Sequence, residues 1–586
     1  MIPQIPCPFT TVNQSCRILL TGLLLGVSTT LAQSEGNLSE EAVALPPFVV
    51  DEPTRPLRWH YVSLPDFELI TTGSSATARD FAVTYYRQEQ LVRHLVPDKY
   101  LWKSSVPTMH ILVDESRAKR VTDEAIREFF ENSKGAPNSE ESVNKFLPNL
   151  RLQDVDSNIV FIQHDSRGQA GSFNLMDLYF GHSPSRSGGI NFAFTTSRIA
   201  FLLERRTPTL PAWFIVGMVG LYQQSGFTQE DIHVSATRWG SPAEADALRS
   251  DPLRPRATVP LRRFLSGPPS AKPGNEATRK LWREYATLFV HWAMFADEQA
   301  HRDGLWEFID RLEREPLSES LFTECFGLGY TDARNLISDY LPIAVQVSHD
   351  IDPGRLASLP TLRVRDASSV DVARIRGEWE RLEVEFVREH HPDLVDAYLD
   401  HARRNMEARE RNLGADPDVL GARGLLEYDA GNTDLARSKL EAAIAAGASR
   451  PSIAQRLAQL RFDEARHRTP ADQKLSPADT GLVLAPLEIA LSRKPALAEN
   501  YTLLADLWLN SEMSPTQRDL EVLEDGINLF SSNTAVVGRV ALVYAVSGEV
   551  DQAISLVELG MEHARSDSAR QTYRRLRDQL FMLRTG

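Results

Sequence analysis

The spacing of apolar positions changes period several times along the chain. Leu57, Trp59 and Tyr61 alternate with Arg58 and His60, and Phe67 and Leu69 resume the alternation after Pro65-Asp66. That is the two-residue period of half-buried strands. Ala78, Phe81, Ala82, Tyr85, Val92 and Leu95 then recur at helical spacing. Thr108–Val113 and Asn158–Gln163 are short apolar runs of the buried-strand type, with a helix expected from Thr122 whose apolar face is Ala125, Ile126, Phe129 and Phe130. From about residue 190 the period is helical. Leu281–Ala296 is strongly apolar and is expected at the centre of a core, followed by helices over Leu305–Leu312 and Ser318–Phe326. Residues 351–369 hold Pro, Gly and Ser with no clear period, which marks a boundary.

Beyond that boundary every period is helical, and small residues recur in register. Gly424, Gly431, Ala436, Leu440 and Ala443 form one set. Leu487, Ala490, Leu491 and Pro495 form a second, Ala505, Leu523 and Gly526 a third, and Ala541, Tyr544, Gly548, Ala553, Val557 and Gly560 a fourth. One equivalent small position falls at 443, 490, 526 and 560, at intervals of 47, 36 and 34 residues. These residues resemble the tetratricopeptide pattern, whose period is roughly 34 residues. The surplus in the first interval falls on Arg466–Pro477, a polar stretch expected as a loop inside the second unit. A degenerate unit is expected over 376–413, with Ala402 and Met406 in register, and Ser568–Leu583 is expected to cap the stack. The resemblance implies a scaffold that binds extended peptides in a groove lined by the first helix of each pair. Tyr501, Trp508 and Tyr544 are expected to pack between helices.

The N-terminus reads as an address. Ile18–Val27 is a ten-residue apolar run after Arg17, short of the ~20 residues that span a bilayer. Thr30-Leu31-Ala32 fits a small-x-small cleavage site, so residues 1–32 are expected to be a secretory signal, followed by an extended linker through Leu45–Val50. Cleavage would remove two of the three cysteines and leave Cys325, so no internal disulfide is expected, and would move the formal charge from −15 to −16. An acidic chain gives nucleic acid no electrostatic foothold. No later stretch is long and apolar enough to span a membrane.

Phe192–Gln224 holds a helix, a Pro-containing break, and a second helix opening at Pro211-Ala212-Trp213. With the strands before it, this layout resembles the peptidase MA-like gluzincin metalloproteases. In that family the first helix carries H-E-x-x-H, a P-x-W turn follows, and the second helix supplies a third zinc ligand. Here Ser183–Leu203 contains no His, Asp or Glu, and Val216-Gly217 stands where the third ligand would be. Glu204 falls too late on the first helix and lacks a His partner at metal spacing. Four other histidine positions bear on the question: His164 (with Asp165) after a strand, His182 in a Gly/Ser-rich loop, His291 as a core residue, and His390-His391 in a helix-connecting turn. Catalytic, metal and cofactor-binding residues are therefore expected to be none, and the partner-binding residues are not legible.

The expected fold class is an α+β, degenerate zincin-like domain followed by an all-α tetratricopeptide-like solenoid. The expected segments are signal 1–32, linker 33–55, α+β domain 56–350, linker 351–371, repeats 372–567 and capping helix 568–586. The expected function is that of an exported, periplasmic or extracellular, non-catalytic scaffold, with an unknown protein or peptide in the repeat groove and no cofactor. The rival is a hydrolase using His164, Asp165 or His182 near the former cleft, which requires those side chains to converge.

Overall fold

The computed structural model describes residues 57–114, 149–164, 196–227, 232–240, 258–270, 274–352, 357–562 and 567–585, with Ala247, Ser250 and Ala564. The expected signal and Leu45–Val50 linker, the helix expected from Thr122, Asp165 and His182 lie outside the described residues.

The strands are β1 (His60–Leu64), β2 (Phe67–Thr71), β3 (Thr108–Asp114), β4 (Asn149–Gln153), β5 (Asn158–His164), β6 (Ser225–Phe227), β7 (Ile232–Val234), β8 (His349–Ile351) and β9 (Arg365–Asp366). Six of them form one mixed sheet in the order β4-β5-β3-β2-β1-β9, and β6-β7-β8 form a small second sheet. In the larger sheet β2, β3 and β5 run parallel, while β1, β4 and β9 pair antiparallel to their neighbours. The Pro65-Asp66 interruption is thus the turn of the β1–β2 hairpin. Strands β6 to β9 have no clear alternation in the sequence, whereas β4, not among the expected strands, does alternate, Leu150 and Leu152 with Asn149, Arg151 and Gln153. Each of the last four has two or three residues, below the length at which a two-residue period can be read.

The sheet is covered on both faces. Helix α1 (Ser75–Leu95), N-capped by the Ser74 hydroxyl, packs Ala78, Phe81, Ala82 and Tyr85 against Val62, Phe67, Leu69 and Leu112. The alternate residues of the same strands face the other way, where Phe161 meets Trp379 with ring centroids 5.2 Å apart. Glu68 on that face binds Arg374.

A helical layer follows: α2 (Thr196–Glu204), α3 (Ala212–Gln223), α4 (Leu261–Leu265), α5 (Glu276–Phe295), α6 (Arg302–Leu312), α7 (Glu319–Phe326) and α8 (Tyr330–Ala344). As the apolar run predicted, α5 is central, burying Trp282, Tyr285, Phe289 and Trp292. Trp213 of α3 packs against Phe264, Phe289 and Phe308. Helices α3 and α5 approach closely at Gly217, where an added Cβ would meet Val290 Cγ2 at 2.4 Å and the Ala286 carbonyl oxygen at 2.5 Å. Gly217→Ala is therefore expected to destabilise by about 1–3 kcal/mol in urea denaturation. At Gly481, an exposed helical position whose Cβ would meet nothing within 4 Å, alanine should stabilise by roughly 0.5–1 kcal/mol.

Residues 351–371, expected as a linker, are stitched into the larger sheet. Arg365 and Asp366 pair with Tyr61 and His60, and Ala367 N–H donates to the Trp59 carbonyl at 2.9 Å. An edge strand this short and polar has the composition of a loop. The segment leads into α9 (Ser369–His390), started by a Ser368–Asp371 capping box. Then come α10 (Val395–Leu413), α11 (Pro417–Asp429), α12 (Thr433–Ala445), α13 (Pro451–Arg468), α14 (Pro477–Leu491), α15 (Ala498–Asn510), α16 (Gln517–Leu529), α17 (Thr534–Val546), α18 (Val550–Glu562) and α19 (Asp567–Thr585). Ten of these helices form five sequential hairpins, and α19 closes the stack.

The small residues stand where helices cross. A Cβ on Gly424 would strike Leu440, one on Gly526 the Tyr501 ring, and one on Gly560 the Tyr573 ring. Gly431 and Gly548 hold φ of +76° and +92° in the turns between paired helices. Ala402 and Met406 are buried, and the expected degenerate unit 376–413 is the hairpin α9–α10, begun seven residues earlier. The Arg466–Pro477 surplus is part helix: α13 runs on to Arg468, and the remaining loop is held by Leu475 N–H to the Asn510 carbonyl at 2.7 Å. Residues from Arg58 onward form one compact unit.

Candidate functional site: the α2–α3 helix pair and the first-helix face of the repeats

Helices α2 and α3 flank the Pro-containing break. Pro211 is the N-cap of α3, and Trp213 is buried beneath it. On α2 the inward polar residue is Arg198. Its Nε donates to Glu89 Oε1 of α1 at 2.7 Å, and its Nη1 donates to Thr108 Oγ1 of β3 at 2.9 Å. Burial opposes the guanidinium charge, but Glu89 outweighs it and holds the Arg198 pKa above its ordinary value. Burial pushes the Tyr85 and Tyr222 hydroxyls up, so both stay neutral. Glu204 closes α2 exposed, and Val216 is half-buried on α3. Among the described residues no three His, Cys, Asp or Glu side chains come together as a metal site.

The histidines separate. His164 ends β5, in register with Asp114, while Asp165 and His182 lie outside the described residues. The convergence required by the rival hydrolase is thus not on view. His291 is fully buried on α5, with Tyr340 Oη 3.0 Å from its Nδ1 and the His349 ring 5.3 Å away. It is a core residue, and burial, then His349, pushes its pKa down to about 3. His390 is exposed at the end of α9, its Nδ1 2.9 Å from the Phe386 carbonyl. His391 is the C-cap residue of the same helix. His110, which the sequence did not single out, is buried on β3 among Phe67, Phe81 and Tyr85. Burial, then the charges of Arg198 and Arg151, push it down to about 3.

The second candidate is the face formed by the first helices of the hairpins. Tyr501, Trp508 and Tyr544 are buried packing residues, and Tyr544 Oη donates to Glu524 Oε1 at 2.6 Å. The first three hairpins contribute charge, and the turn between β4 and β5 meets it at α9 and at the start of α13. Arg381 of α9 donates to Asp154 Oδ2 at 2.8 Å, to Glu378 Oε1 at 2.9 Å and to Asp429 Oδ2 at 3.0 Å. Arg450, before α13, donates to Glu378 Oε2 at 2.8 Å and to Asp156 Oδ1 at 2.9 Å. The Ser452 N–H, in the first turn of α13, donates to Asp156 Oδ2 at 2.7 Å, and Ser157 Oγ donates to Glu378 Oε1 at 2.6 Å. Further along, Ser105 Oγ donates to the Lys494 carbonyl at 2.7 Å. Burial would raise the Glu378 carboxyl, but Arg381 and Arg450 outweigh it and hold it well below the usual carboxylate range.

The sequence contained one signal for this cluster. Glu378 and Arg381 stand one helical turn apart on a helix whose apolar residues mark no single solvent face. Nothing in it pointed to Asp154 or Asp156, more than 200 residues upstream.

No family model matches the chain, and no curated protein matches it. Solved structures are similar over about a third of it. A crystal structure of MamA protein is 15% identical over 32% of this chain and 92% of its own, with a TM-score of 0.25. YrrB, described as a TPR protein with an unusual peptide-binding site, is 11% identical over 36% and 98%, with a TM-score of 0.26. TTC0263, a thermophilic TPR protein of Thermus thermophilus, is 14% identical over 35% and 98%, with a TM-score of 0.24. The tetratricopeptide-like character of the array rests on its own spacing, its five hairpins and its small residues at helix crossings.

Proposed function

We propose that this chain is an exported, non-catalytic scaffold: a degenerate metalloprotease-like domain joined to tetratricopeptide-like repeats that engage another protein. The observation that carries the non-catalytic part is Arg198. Where a protease of this kind presents zinc ligands on its first helix, this chain buries a guanidinium paired to Glu89. That guanidinium ties up the neighbouring Glu89 carboxylate, and α2 itself brings no imidazole or carboxylate inward, so the helix supplies no metal ligand. The repeats support the interaction role, and the Ile18–Val27 segment supports export.

The test uses the full-length chain recovered after export. It is expected to begin at Gln33, to take up no stoichiometric zinc and to leave peptide substrates uncleaved with or without added zinc. Stoichiometric zinc accompanied by hydrolysis overturns the reading.

A further inference from the structure

Two histidines of the first half each bury a ring nitrogen that has no hydrogen-bond partner. His291 is fully buried on α5, and His349 opens β8, where it pairs with Val234 of β7. Their ring centroids are 5.3 Å apart. Phe295, one turn after His291 on α5, closes the triangle, its ring 5.0 Å from His291 and 4.4 Å from His349. Both Nε2 atoms are shielded from solvent, and neither has a partner among the described residues. An orphaned buried polar atom is costly, so two of them on neighbouring rings call for a shared ligand. On its other side His291 is held, with Nδ1 3.0 Å from Tyr340 Oη. When Nδ1–H donates to that hydroxyl, the lone pair of Nε2 is left for a ligand. A metal-binding histidine is fixed in this way, through its second nitrogen. Burial lowers the pKa of both imidazoles, which keeps them neutral and able to donate a lone pair.

We propose that His291 and His349 form a two-coordinate site for a soft monovalent metal ion, copper(I). Metal–imidazole bonds are roughly 2 Å long, and rings this close can both touch one ion. No third His, Cys, Asp or Glu joins them among the described residues, so the donor set falls short of the four ligands that a zinc ion takes. Copper(I) accepts two nitrogens alone. Its single charge also costs less than a dication's to place among aromatic rings and away from water, because desolvation grows with the square of the charge. His349 is partly exposed, which gives the ion a way in. Once bound, the ion ties the central helix α5 to β8 and stabilises the fold by its binding.

The full chain is to be used with its three cysteines replaced (C7S/C16S/C325S), because thiolates bind copper(I) strongly. Titrated without oxygen against the copper(I) chelator bicinchoninate, it is expected to bind one equivalent, and X-ray absorption should show two nitrogen neighbours and no sulfur. His349→Gln, at a partly exposed position, should weaken binding about tenfold or more with circular dichroism unchanged. Tyr340→Phe, which releases His291 Nδ1, should weaken it about tenfold with the stoichiometry still at one. Three results overturn the proposal: no copper(I) held against the chelator, binding by His349→Gln equal to that of its parent, or sulfur among the metal's neighbours. The first of these would leave the two nitrogens to share a water molecule.

Discussion

Arg450→Met is expected to lower the unfolding free energy by about 3–5 kcal/mol. The side chain is buried, and its removal leaves Asp156 with no guanidinium and Glu378 with Arg381 alone. Both carboxylates stay in a low-dielectric junction where an unpaired charge is costly. Methionine fills much of the volume, so the loss reports charge more than cavity. Arg468→Met, which removes an exposed partner of Asp479, is the control and should change stability by less than about 1 kcal/mol. Urea unfolding followed by circular dichroism and by tryptophan fluorescence gives the numbers. The two signals should shift together in Arg450→Met, because α9 both covers the sheet and opens the repeats. An Arg450→Met effect as small as the control would show that the cluster adds nothing beyond surface pairing.

Acidification from pH 7 to pH 5 is expected to remove about 2 kcal/mol of stability through each of His110 and His291. Both have a pKa of about 3 in the fold, against roughly 6.5 in an unfolded chain. The unfolded chain therefore takes up a proton below about pH 6.5 that the folded chain refuses. Stability from these groups is complete above that pH and falls as the pH drops toward 3. Burial also raises the carboxyl pKa of Asp418, Asp429 and Asp506, which titrate in the opposite sense. The histidine share is thus read as a difference: His110→Leu and His291→Phe should each flatten the pH 7-to-5 slope by that amount, whatever they do to stability at pH 7. A slope unchanged in both variants would place the acid sensitivity elsewhere.

The junction also changes what the repeat array can offer a partner. The Asp154–Ser157 turn is seated against α9, Arg450 and the start of α13, so the chain itself covers part of the first and third hairpins. Partner studies therefore call for the intact chain. A fragment starting at residue 372 would cut within the first turn of α9, remove its capping box and strip away the sheet that Trp379 packs against.

Much of the architecture was legible because local rules and tertiary needs agree. Strands β3 and β5 were visible as apolar runs, α1 and α5 as periodic faces, and the hairpins as small residues at fixed intervals. Gly526 and Gly560 could be placed from spacing alone, since a repeat needs a small residue where two helices cross, a need that Ala443 and Ala490 meet at the same position. Helix α9 was harder. Its buried Glu378, Glu380, Arg381 and Glu383 look in sequence like a solvated surface, because nothing local distinguishes a charge facing water from one facing a distant partner.

The sequence by itself thus determined the helical repeats, the central helix of the first half and the absence of His, Asp and Glu from Ser183–Leu203, since each depends on residue types at short separations. Only the tertiary structure decided that part of the expected linker is an edge strand, that α9 serves both the sheet and the array, and that Arg198 is buried against Glu89 and Thr108. Each of these depends on pairing between residues far apart in the chain. Asp156 and Arg450 are 294 positions apart, and their coulombic attraction outweighs the cost of desolvating both charges only because the fold brings them together away from water, which no local pattern encodes.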